Sequence, residues 1–439
     1  MASVANHQAT YGTPTPSKAT RNRAIVACSI GNFFELFDFV LYGFLAAIIG
    51  KLFFPAHDPM TSLLSSLAIY GVGFLMRPVG AVVIGAYGDR HGRKAALVLT
   101  IGIMAVSTLG VGLLPTYDTI GRFAPLLLLL CRLGQGFSTG GEWGGSAAFM
   151  VEYAPPHKRG LIGSWQQSSA TAGVLAGSLT AAVLSTVLDA ETMLSWGWRV
   201  PFFIGAISGP VGFYLRIKID ETPVFEEVVA TKGVERHPLS AALTEHWRNL
   251  LIAFGIAITA TVPFYMTFIF MPNFATQRLS LSYSTALFAT SICSVLATVL
   301  MPVMGTISDR IGRKPMVLGS TIGALLTSYP LFVYITNHPG FQSLVIAQCI
   351  SVVFISMFSG PLPSILCEMF PTKVRYTALS ISYGFAVMIF GGFAPFVATY
   401  LINLTGNPIS PTYYVTSAAL VSTLVAIFFY KETAHKELR

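Results

Sequence analysis

Long apolar stretches recur along this chain from about residue 25 to residue 430, and they constrain its fold more than any other feature. A membrane-crossing helix needs about 20 largely apolar residues, and the sequence supplies such stretches again and again. Charged residues make up only 10% of the 439 residues, whereas soluble proteins carry about a quarter. Because a water-soluble domain of this size could not cover its surface, we expect lipid to be the solvent.

Apolar runs, bounded by glycine, proline and charged residues, predict an all-α membrane protein with twelve transmembrane helices. The first six helices are predicted at residues 24–49, 63–87, 95–114, 124–152, 161–188 and 199–217. The second six are predicted at residues 249–272, 282–306, 315–336, 341–368, 376–402 and 412–430. Two bundles, 24–217 and 249–430, are thus joined by a polar linker at 218–248, with tails at 1–23 and 431–439.

The net charge of +8 comes from basic residues that fall on every second loop between apolar runs. In a soluble protein this charge could indicate nucleic-acid binding, but here it fits the positive-inside rule, by which basic loops stay in the cytoplasm. We therefore predict a multi-pass protein of the bacterial inner membrane with both termini cytoplasmic, and no nucleic-acid partner. The N-terminal segment lacks the pattern of a cleaved signal peptide, so the first helix is predicted to be an uncleaved anchor.

Two motifs occur once in each half of the chain. GAYGDRHGRK at residues 85–94 recurs as GTISDRIGRK at 305–314, and EYAPPHKR at 152–159 recurs as EMFPTKVR at 368–375. Both pairs fall on basic loops at matching places, so the two six-helix repeats are predicted to be parallel. Parallel repeats with a solute site at their interface are typical of alternating-access carriers.

These duplicated GxxxDRxGRK loops resemble the signature loop of the major facilitator superfamily. GNFFELFDFVLYGF (31–44), FLMRPVGA (74–81), RLGQGFSTGGEWGG (132–145) and WGWRVPFFIG (196–205) resemble its metabolite:proton symporter branch. The resemblance covers almost the whole chain and implies the twelve-helix fold of that superfamily. Segment spacing is also similar to that of citrate-proton symporters, which implies a proton-coupled carrier of an organic anion, such as a di- or tricarboxylate.

A few ionisable residues fall near the middle of predicted helices, where a charge is costly and suggests function. They are Glu35, Asp38, Arg77, Arg132 and Glu142. Helical spacing puts Glu35, Asp38 and Tyr42 on one face of helix 1. Likewise, Arg132, Gln135 and Glu142 share one face of helix 4. We expect these faces to meet at one cavity.

Two arginines can grip a carboxylate in a bidentate fork, while nearby carboxyl groups exchange a proton. The predicted substrate-binding residues are Arg77, Arg132, Tyr42, Gln135, Gln166, Gln167, Tyr265 and Tyr383. The predicted proton-coupling residues are Asp38, Glu142 and Glu35. Two alternatives stay open: the charges neutralise one another structurally, or the glutamines and tyrosines only form hydrogen bonds between helices.

The acidic residue inside each basic loop predicts a charge latch that holds one end of the carrier closed. The predicted gating residues are Asp89, Arg90, Arg93, Asp309, Arg310, Arg313, Glu152, Arg159, Glu368 and Arg375. The alternative is that these residues only set topology, although orientation by itself needs no aspartate.

Other classes of membrane protein find less support in the sequence. An ATP-driven pump would need a P-loop, GxxxxGK[ST], which does not occur, and nothing indicates an enzyme, a cofactor or a metal site. The five single cysteines suggest neither disulfides nor zinc. A proton-coupled importer of zwitterionic osmolytes of the betaine or proline type remains the alternative carrier, although such relatives often have a C-terminal coiled coil that is not found before Arg439. We expect protons, a small carboxylate and lipid as partners, and a functional monomer.

Overall fold

The structure is a computed structural model that describes residues 18–91, 93–207, 209–211, 214, 238–434 and 436. The described part of the chain is helical, without strands. Its first half contains α1 (Lys18–Phe44), α2 (Ala46–Phe53), α3 (Pro59–Gly73), α4 (Met76–His91), α5 (Arg93–Leu113), α6 (Tyr117–Ile120), α7 (Phe123–Glu152), α8 (Arg159–Val187), α9 (Ala190–Ser195) and α10 (Val200–Ala206).

The described part of the second half also contains ten α-helices. It contains α11 (Pro238–Glu245), α12 (Trp247–Tyr265), α13 (Met271–Arg278), α14 (Tyr283–Ile311), α15 (Arg313–Asn337), α16 (Phe341–Ser359), α17 (Leu362–Glu368), α18 (Thr372–Ala386), α19 (Ala394–Thr405) and α20 (Pro411–Phe428). Most of the predicted linker lies outside the described residues, and its described part forms α11 and the start of α12.

Several of these helices join end to end, so the predicted twelve-span architecture is confirmed. Spans 1 to 12 are α1–α2, α3–α4, α5, α7, α8, α10, α12–α13, α14, α15, α16–α17, α18–α19 and α20. Nine of them are long and apolar enough by composition to cross a membrane. Of the others, span 3 holds the shorter apolar helix Val98–Leu113, span 4 is 30 residues long but contains Arg132 and Glu142, and span 6 is only partly described.

Two spans of the second half contain a π-helical turn, which the sequence did not predict. Met266–Phe270 lies within span 7 and Val387–Gly391 lies within span 11. Span 7 also carries Pro263 inside its helix, and proline removes a backbone hydrogen bond and disturbs the helix around it. Such π turns are frequently found at functional sites.

Several helix pairs join the halves. Span 5 packs along span 8 in the most extensive contact between any two described helices. Gly160 and Gly305 face each other there so closely that a Cβ on either would meet the other's carbonyl oxygen, which explains the small residues. Span 11 packs against spans 2 and 4 in the same way. Facing surfaces of the two bundles therefore enclose the centre of the molecule.

The duplicated motif loops lie at the same end of the bundle as both described ends of the chain, which we call the basic end. Near the chain start, Ile25 and Cys28 pack against Met150, Ala154 and Ile162 next to the loop at 152–159. Near the chain end, the carbonyl of Lys436 accepts a hydrogen bond from Arg159. Because both ends of the described chain meet there, the number of spans is even.

Candidate solute site

A cavity of about 520 Å³ lies between the two halves, near the middle of the spans. Its lining is Asn32, Glu35, Leu36, Arg77, Trp143, Gln166, Gln167 and Ala170 from the first half, with Ala260, Thr261, Phe264, Tyr265 and Tyr383 from the second. Each half thus contributes polar and aromatic groups. The cavity lies where a solute site is predicted, between the two repeats.

Helix periodicity explains which residues of span 1 reach the cavity. Asn32, Glu35 and Leu36 are spaced i, i+3 and i+4, so they share one face of α1. Asp38 and Tyr42 turn instead toward the interior of the first half, where both are fully buried. The carboxyl group of Glu35 thus lies in the cavity, and that of Asp38 lies on the other side of the same helix.

Arg77 lines the cavity, and it lies in the first turn of α4, just after the break between α3 and α4. Its guanidinium carbon lies 4.4 Å from the ring centre of Phe74 and 4.9 Å from that of Phe39. Its Nε and Nη2 are buried and have no hydrogen-bond partner among the described residues. Buried donors normally have partners, so these two are available to a ligand such as a carboxylate.

Arg132 lies behind Phe39 and does not line the cavity. Its guanidinium carbon is 4.3 Å from the ring centre of Phe39 and 4.6 Å from that of Tyr42. Both arginines therefore contact the ring of Phe39, and such cation–π contacts are each worth about 0.5–2 kcal/mol. Nε and Nη2 of Arg132 also lack partners within the described part.

A chain of buried hydrogen bonds connects Arg132 with Asp38. Nη1 of Arg132 donates to Oε1 of Gln135 (2.6 Å), and Nε2 of Gln135 donates to the hydroxyl of Thr108 (2.8 Å). That hydroxyl donates to Asp38 at 3.2 Å. The other oxygen of Asp38 has no partner among the described residues. Spans 1, 3 and 4 thus share one polar network inside the first half.

The predicted site residues divide into two groups. Those that line the cavity are Glu35, Arg77, Gln166, Gln167, Tyr265 and Tyr383. Those that lie outside the lining are Asp38, Tyr42, Arg132, Gln135 and Glu142, all buried in the first half. The hydroxyl of Tyr42, for example, donates to the carbonyl of Ser66 at 3.2 Å. The expected faces of spans 1 and 4 do meet each other, through Asp38, Gln135 and Arg132, but inside the first half and outside the cavity lining.

Sequence reasoning missed the aromatic wall. Trp143 of span 4 stacks on Tyr383 of span 11, with ring centres 3.9 Å apart and planes inclined by 22°. Phe264 and Asn32 also line the cavity. Aromatic residues at mid-depth next to Glu142 were visible in the sequence, but an apolar ring in a membrane helix is normally taken as packing.

On the basic end, the second-half motif forms a tight charge cluster. Nη2 of Arg313 lies 3.0 Å from Asp309 and 3.0 Å from Glu368. Asp309 also accepts hydrogen bonds from the backbone N–H groups of Gly160 (2.8 Å) and Leu161 (2.9 Å) at the start of span 5. This carboxylate therefore joins the two halves.

Further contacts between halves surround this cluster. Arg375 of span 11 forms an ion pair of 2.6 Å with Glu152 of span 4. The Ser364 hydroxyl donates to the carbonyl of Arg159 at 2.6 Å. Arg310, by contrast, is exposed, and the side chains of Asp89, Arg90 and Arg93 lie outside the described residues. The second-half residues of the predicted latch thus lie in one charged cluster, which Asp309 and Arg375 connect to the first half, and their gating role stays a prediction.

The C-terminal segment adds to the cluster through Glu432. Its oxygens accept hydrogen bonds from the backbone N–H groups of Arg313 and Lys314, both 2.9 Å, at the start of span 9. Partial burial raises the pKa of this carboxyl, but hydrogen bonds from four backbone N–H groups outweigh burial and hold its pKa below the usual value. Glu432 therefore caps span 9 as a carboxylate.

Contacts at the opposite end also join the halves. Nδ2 of Asn273 in span 7 donates to the carbonyl of Gly43 in span 1 at 3.1 Å. The hydroxyl of Tyr283 in span 8 donates to the carbonyl of Phe44. The central cavity therefore lies between two layers of contacts, one at each end of the bundle.

Known proteins are similar to this chain in sequence and in architecture. The family model for "Sugar (and other) transporter" matches residues 24–236, and that for "Major Facilitator Superfamily" matches residues 253–439. The proline/betaine transporter of Escherichia coli K12 is 37% identical over 427 residues, covering 95% of this chain and 85% of the relative. The citrate-proton symporter of Klebsiella pneumoniae is 37% identical over 417 residues, covering 94% and 92%.

A solved structure supports the fold. The crystal structure of a D-xylose-proton symporter aligns with a TM-score of 0.76 at 19% identity, covering 95% of this chain and 99% of that one. Similarity over nearly the whole of two sets of relatives, with the duplicated motifs and the paired six-span bundles, leaves one conclusion. The chain belongs to the major facilitator superfamily, within its metabolite:proton symporter branch.

Proposed function

We propose that this chain is a secondary transporter that carries a small carboxylate-bearing solute together with protons by alternating access. The observation that carries the proposal is Arg77, a buried arginine with two unpaired donors that faces a cavity between two repeats. Relatives named for proline and betaine and for citrate and protons support the same class. All of these solutes carry at least one carboxylate.

We attribute the coupling of solute and proton to the carboxyl groups on the two sides of span 1, Glu35 in the cavity and Asp38 behind it. When Asp38 takes up a proton, the negative charge that balances Arg132 disappears, so the potential at Arg132 and Arg77 becomes more positive. A solute carboxylate then binds Arg77 more tightly, because interactions are strong where water is excluded. By linkage, the bound solute favours protonation to the same degree. Proton and solute therefore travel together.

The cavity favours a zwitterion among the two solute classes. Among the described residues, its lining contains one arginine and one glutamate, Arg77 and Glu35, and several aromatic rings. A solute with one carboxylate and one ammonium group would match this pair, and aromatic faces attract quaternary ammonium groups. We therefore propose a betaine- or proline-like solute.

A di- or tricarboxylate such as citrate is the second candidate. A specific observation favours it: Arg132 offers two further unpaired donors one ring beyond Arg77. A second carboxylate could reach them if Phe39 changed rotamer. This class requires two cations facing the solute, whereas the zwitterion requires one.

Alternating access would follow from the charged contacts at the basic end. Asp309, Glu152 and Arg375 each bridge the halves there. We propose that they hold this end closed until solute binding tips the balance by a few kcal/mol. The positive-inside rule assigns the basic end to the cytoplasm of a bacterial inner membrane. One chain encloses the whole cavity, so a monomer suffices.

Solute binding to the purified transporter tests the proposal. Glycine betaine, proline, citrate and succinate are titrated in turn by calorimetry, at two pH values, against the wild type, Arg77→Lys and the exposed-loop control Arg122→Lys. We expect betaine or proline to bind, more tightly at the lower pH, and Arg77→Lys to weaken binding roughly 10- to 100-fold, because a charge-assisted hydrogen bond is worth about 1.5–3 kcal/mol. Citrate binding alone would select the second candidate, and equal binding to both arginine variants would overturn the site.

A further inference from the structure

A second cavity, of about 600 Å³, lies entirely within the second half, between spans 7, 9 and 10. We call it the lateral cleft. Its inner wall is formed by Pro263, Met266 and Thr267 of span 7, and its sides by residues of spans 9 and 10 such as Ala324 and Ser351. It shares no lining residue with the central cavity. Its contents therefore need not be the transported solute.

The chemistry of the lateral cleft selects an apolar ligand. None of its described lining residues is charged. The hydroxyls of Thr327 and Ser351 donate to carbonyls of their own helices, at 2.7 and 3.0 Å, and Ser328 does the same. Gln348 donates to the carbonyl of Thr267 at 3.0 Å. The side chains of these four residues are thus already hydrogen-bonded, and most of the remaining lining offers methyl, methylene and ring surfaces to a ligand.

The mouth of the cleft opens toward the bilayer. Spans 7, 9 and 10 are all long and apolar enough to cross a membrane. Residues beside the lining on the same helices are exposed and apolar, among them Leu326 (67% exposed), Ile350 and Val353. At this depth the surrounding medium is hydrocarbon, not water. The molecules that can enter sideways are therefore the lipids themselves.

We propose that the lateral cleft binds one acyl chain of a membrane phospholipid. The chain would enter between spans 9 and 10 and end against Pro263 and Met266, beside the π-helical turn of span 7. Each methylene transferred between two apolar media gains little, so binding depends on the fit of the chain and on its many small dispersion contacts. A well-fitting chain fills a void that would otherwise leave its lining without contacts.

The position of the cleft gives the bound lipid a role in transport, and this part of the inference rests on the proposed function. Span 7 is the wall between the two cavities: Pro263 and Met266 face the cleft, whereas Phe264 and Tyr265 line the central cavity. A chain in the cleft supports the π-helical turn from behind. Lipid occupancy would therefore stabilise one arrangement of the aromatic wall of the solute site.

Photo-labelling tests the binding independently of transport. The full-length protein is reconstituted in phosphatidylethanolamine and phosphatidylglycerol vesicles with a phosphatidylcholine that carries a diazirine on its acyl chain. Labelled peptides are mapped by mass spectrometry for the wild type and for two variants that fill the cleft, Ala324→Phe and Ser351→Phe. The matched control is Ile350→Phe, which adds the same ring on the lipid-facing side of span 10.

We expect labels to concentrate on cleft residues of spans 7, 9 and 10 and to fall several-fold in both filled variants, but not in the control. Labelling spread evenly over exposed apolar residues, or unchanged in the filled variants, would overturn the proposal, as would labelling by a free diazirine fatty acid but not by the phospholipid. Solute binding by calorimetry identifies variants that still fold. If labelling behaves as expected but no variant changes the transport rate, the lipid site stands and its role in transport is refuted.

Discussion

Trp143 and Tyr383 stack across the interface of the two halves, with ring centres 3.9 Å apart. Each lies two to three helical turns from the ion pair Glu152–Arg375 on its own span, so the rings separate the cavity from the basic end. An aromatic pair is worth about 0.5–1.5 kcal/mol beyond its burial. In the proposed transport cycle, the two halves must break this contact whenever the basic end opens.

The stacked pair therefore predicts different effects of two substitutions at one position. Tyr383→Ala removes the ring and should weaken solute binding roughly 2- to 10-fold, the equivalent of one aromatic pair. Tyr383→Phe keeps the ring and should bind nearly as well as the wild type. Calorimetric titration of both variants checks this, and equal losses would mean that the hydroxyl matters instead of the stacking.

The ion pair Glu152–Arg375 predicts a shift of conformation in Glu152→Gln. Breaking a partly buried pair that joins the halves should populate the state open at the basic end. Spin labels at the exposed positions Lys158 and Arg310, one in each half, report the separation by double electron–electron resonance. We expect a new, longer distance in Glu152→Gln and none in Glu191→Gln, an exposed control at the opposite end. An unchanged distribution in Glu152→Gln would leave this pair without a gating role.

Glu432 predicts an acid-sensitive contribution to stability. Its folded pKa lies below the usual value, so its contribution is fully present above the usual carboxyl pKa and disappears as pH falls through the lowered one. Glu432→Ala should lose about 0.5–2 kcal/mol, as for other helix caps. Thermal unfolding in detergent at neutral pH and at pH below the usual carboxyl pKa checks this against the exposed control Glu245→Ala. A destabilisation that did not shrink in acid would mean that packing, not charge, is lost.

The alternation of basic loops predicts the orientation in the membrane. Cysteines introduced at the exposed loop positions Asp118 and Asn407 should react with an impermeant maleimide added to intact cells, whereas one at Lys158 should not. The background lacks the five native cysteines. Reaction at all three positions from outside would refute the topology.

The sequence predicted the architecture well because lipid makes the hydrophobic signal long and regular. Within the described residues all twelve spans coincide with helices, and the duplicated loops fall together at one end. The π-helical turns at Met266–Phe270 and Val387–Gly391 were not predictable, because they depend on how spans 7 and 11 pack against neighbours and leave no residue pattern of their own.

The sequence predicted how deep the site residues lie in the membrane, but not which of them face the cavity. Glu35, Arg77 and Tyr383 were identified and line the cavity. Arg132 lies at similar depth but faces the interior of its own half, where Phe39 separates it from the cavity. Spacing shows which residues share a face of a helix, but the rotation of that helix is decided by packing. Thr108, which joins Asp38 to Gln135, was missed because a threonine in an apolar span carries no distinguishing pattern.

Transport by Asp38→Asn in proteoliposomes tests whether Asp38 carries the coupling proton. The variant keeps the shape of the side chain but cannot change charge, so it should not accumulate solute in response to an imposed pH gradient. Counterflow exchange should continue, because a loaded carrier returns without releasing the proton. Asp58→Asn, on an exposed loop, should accumulate solute normally. If Asp38→Asn accumulated solute in response to the gradient as well as the wild type does, Asp38 would not carry the coupling proton.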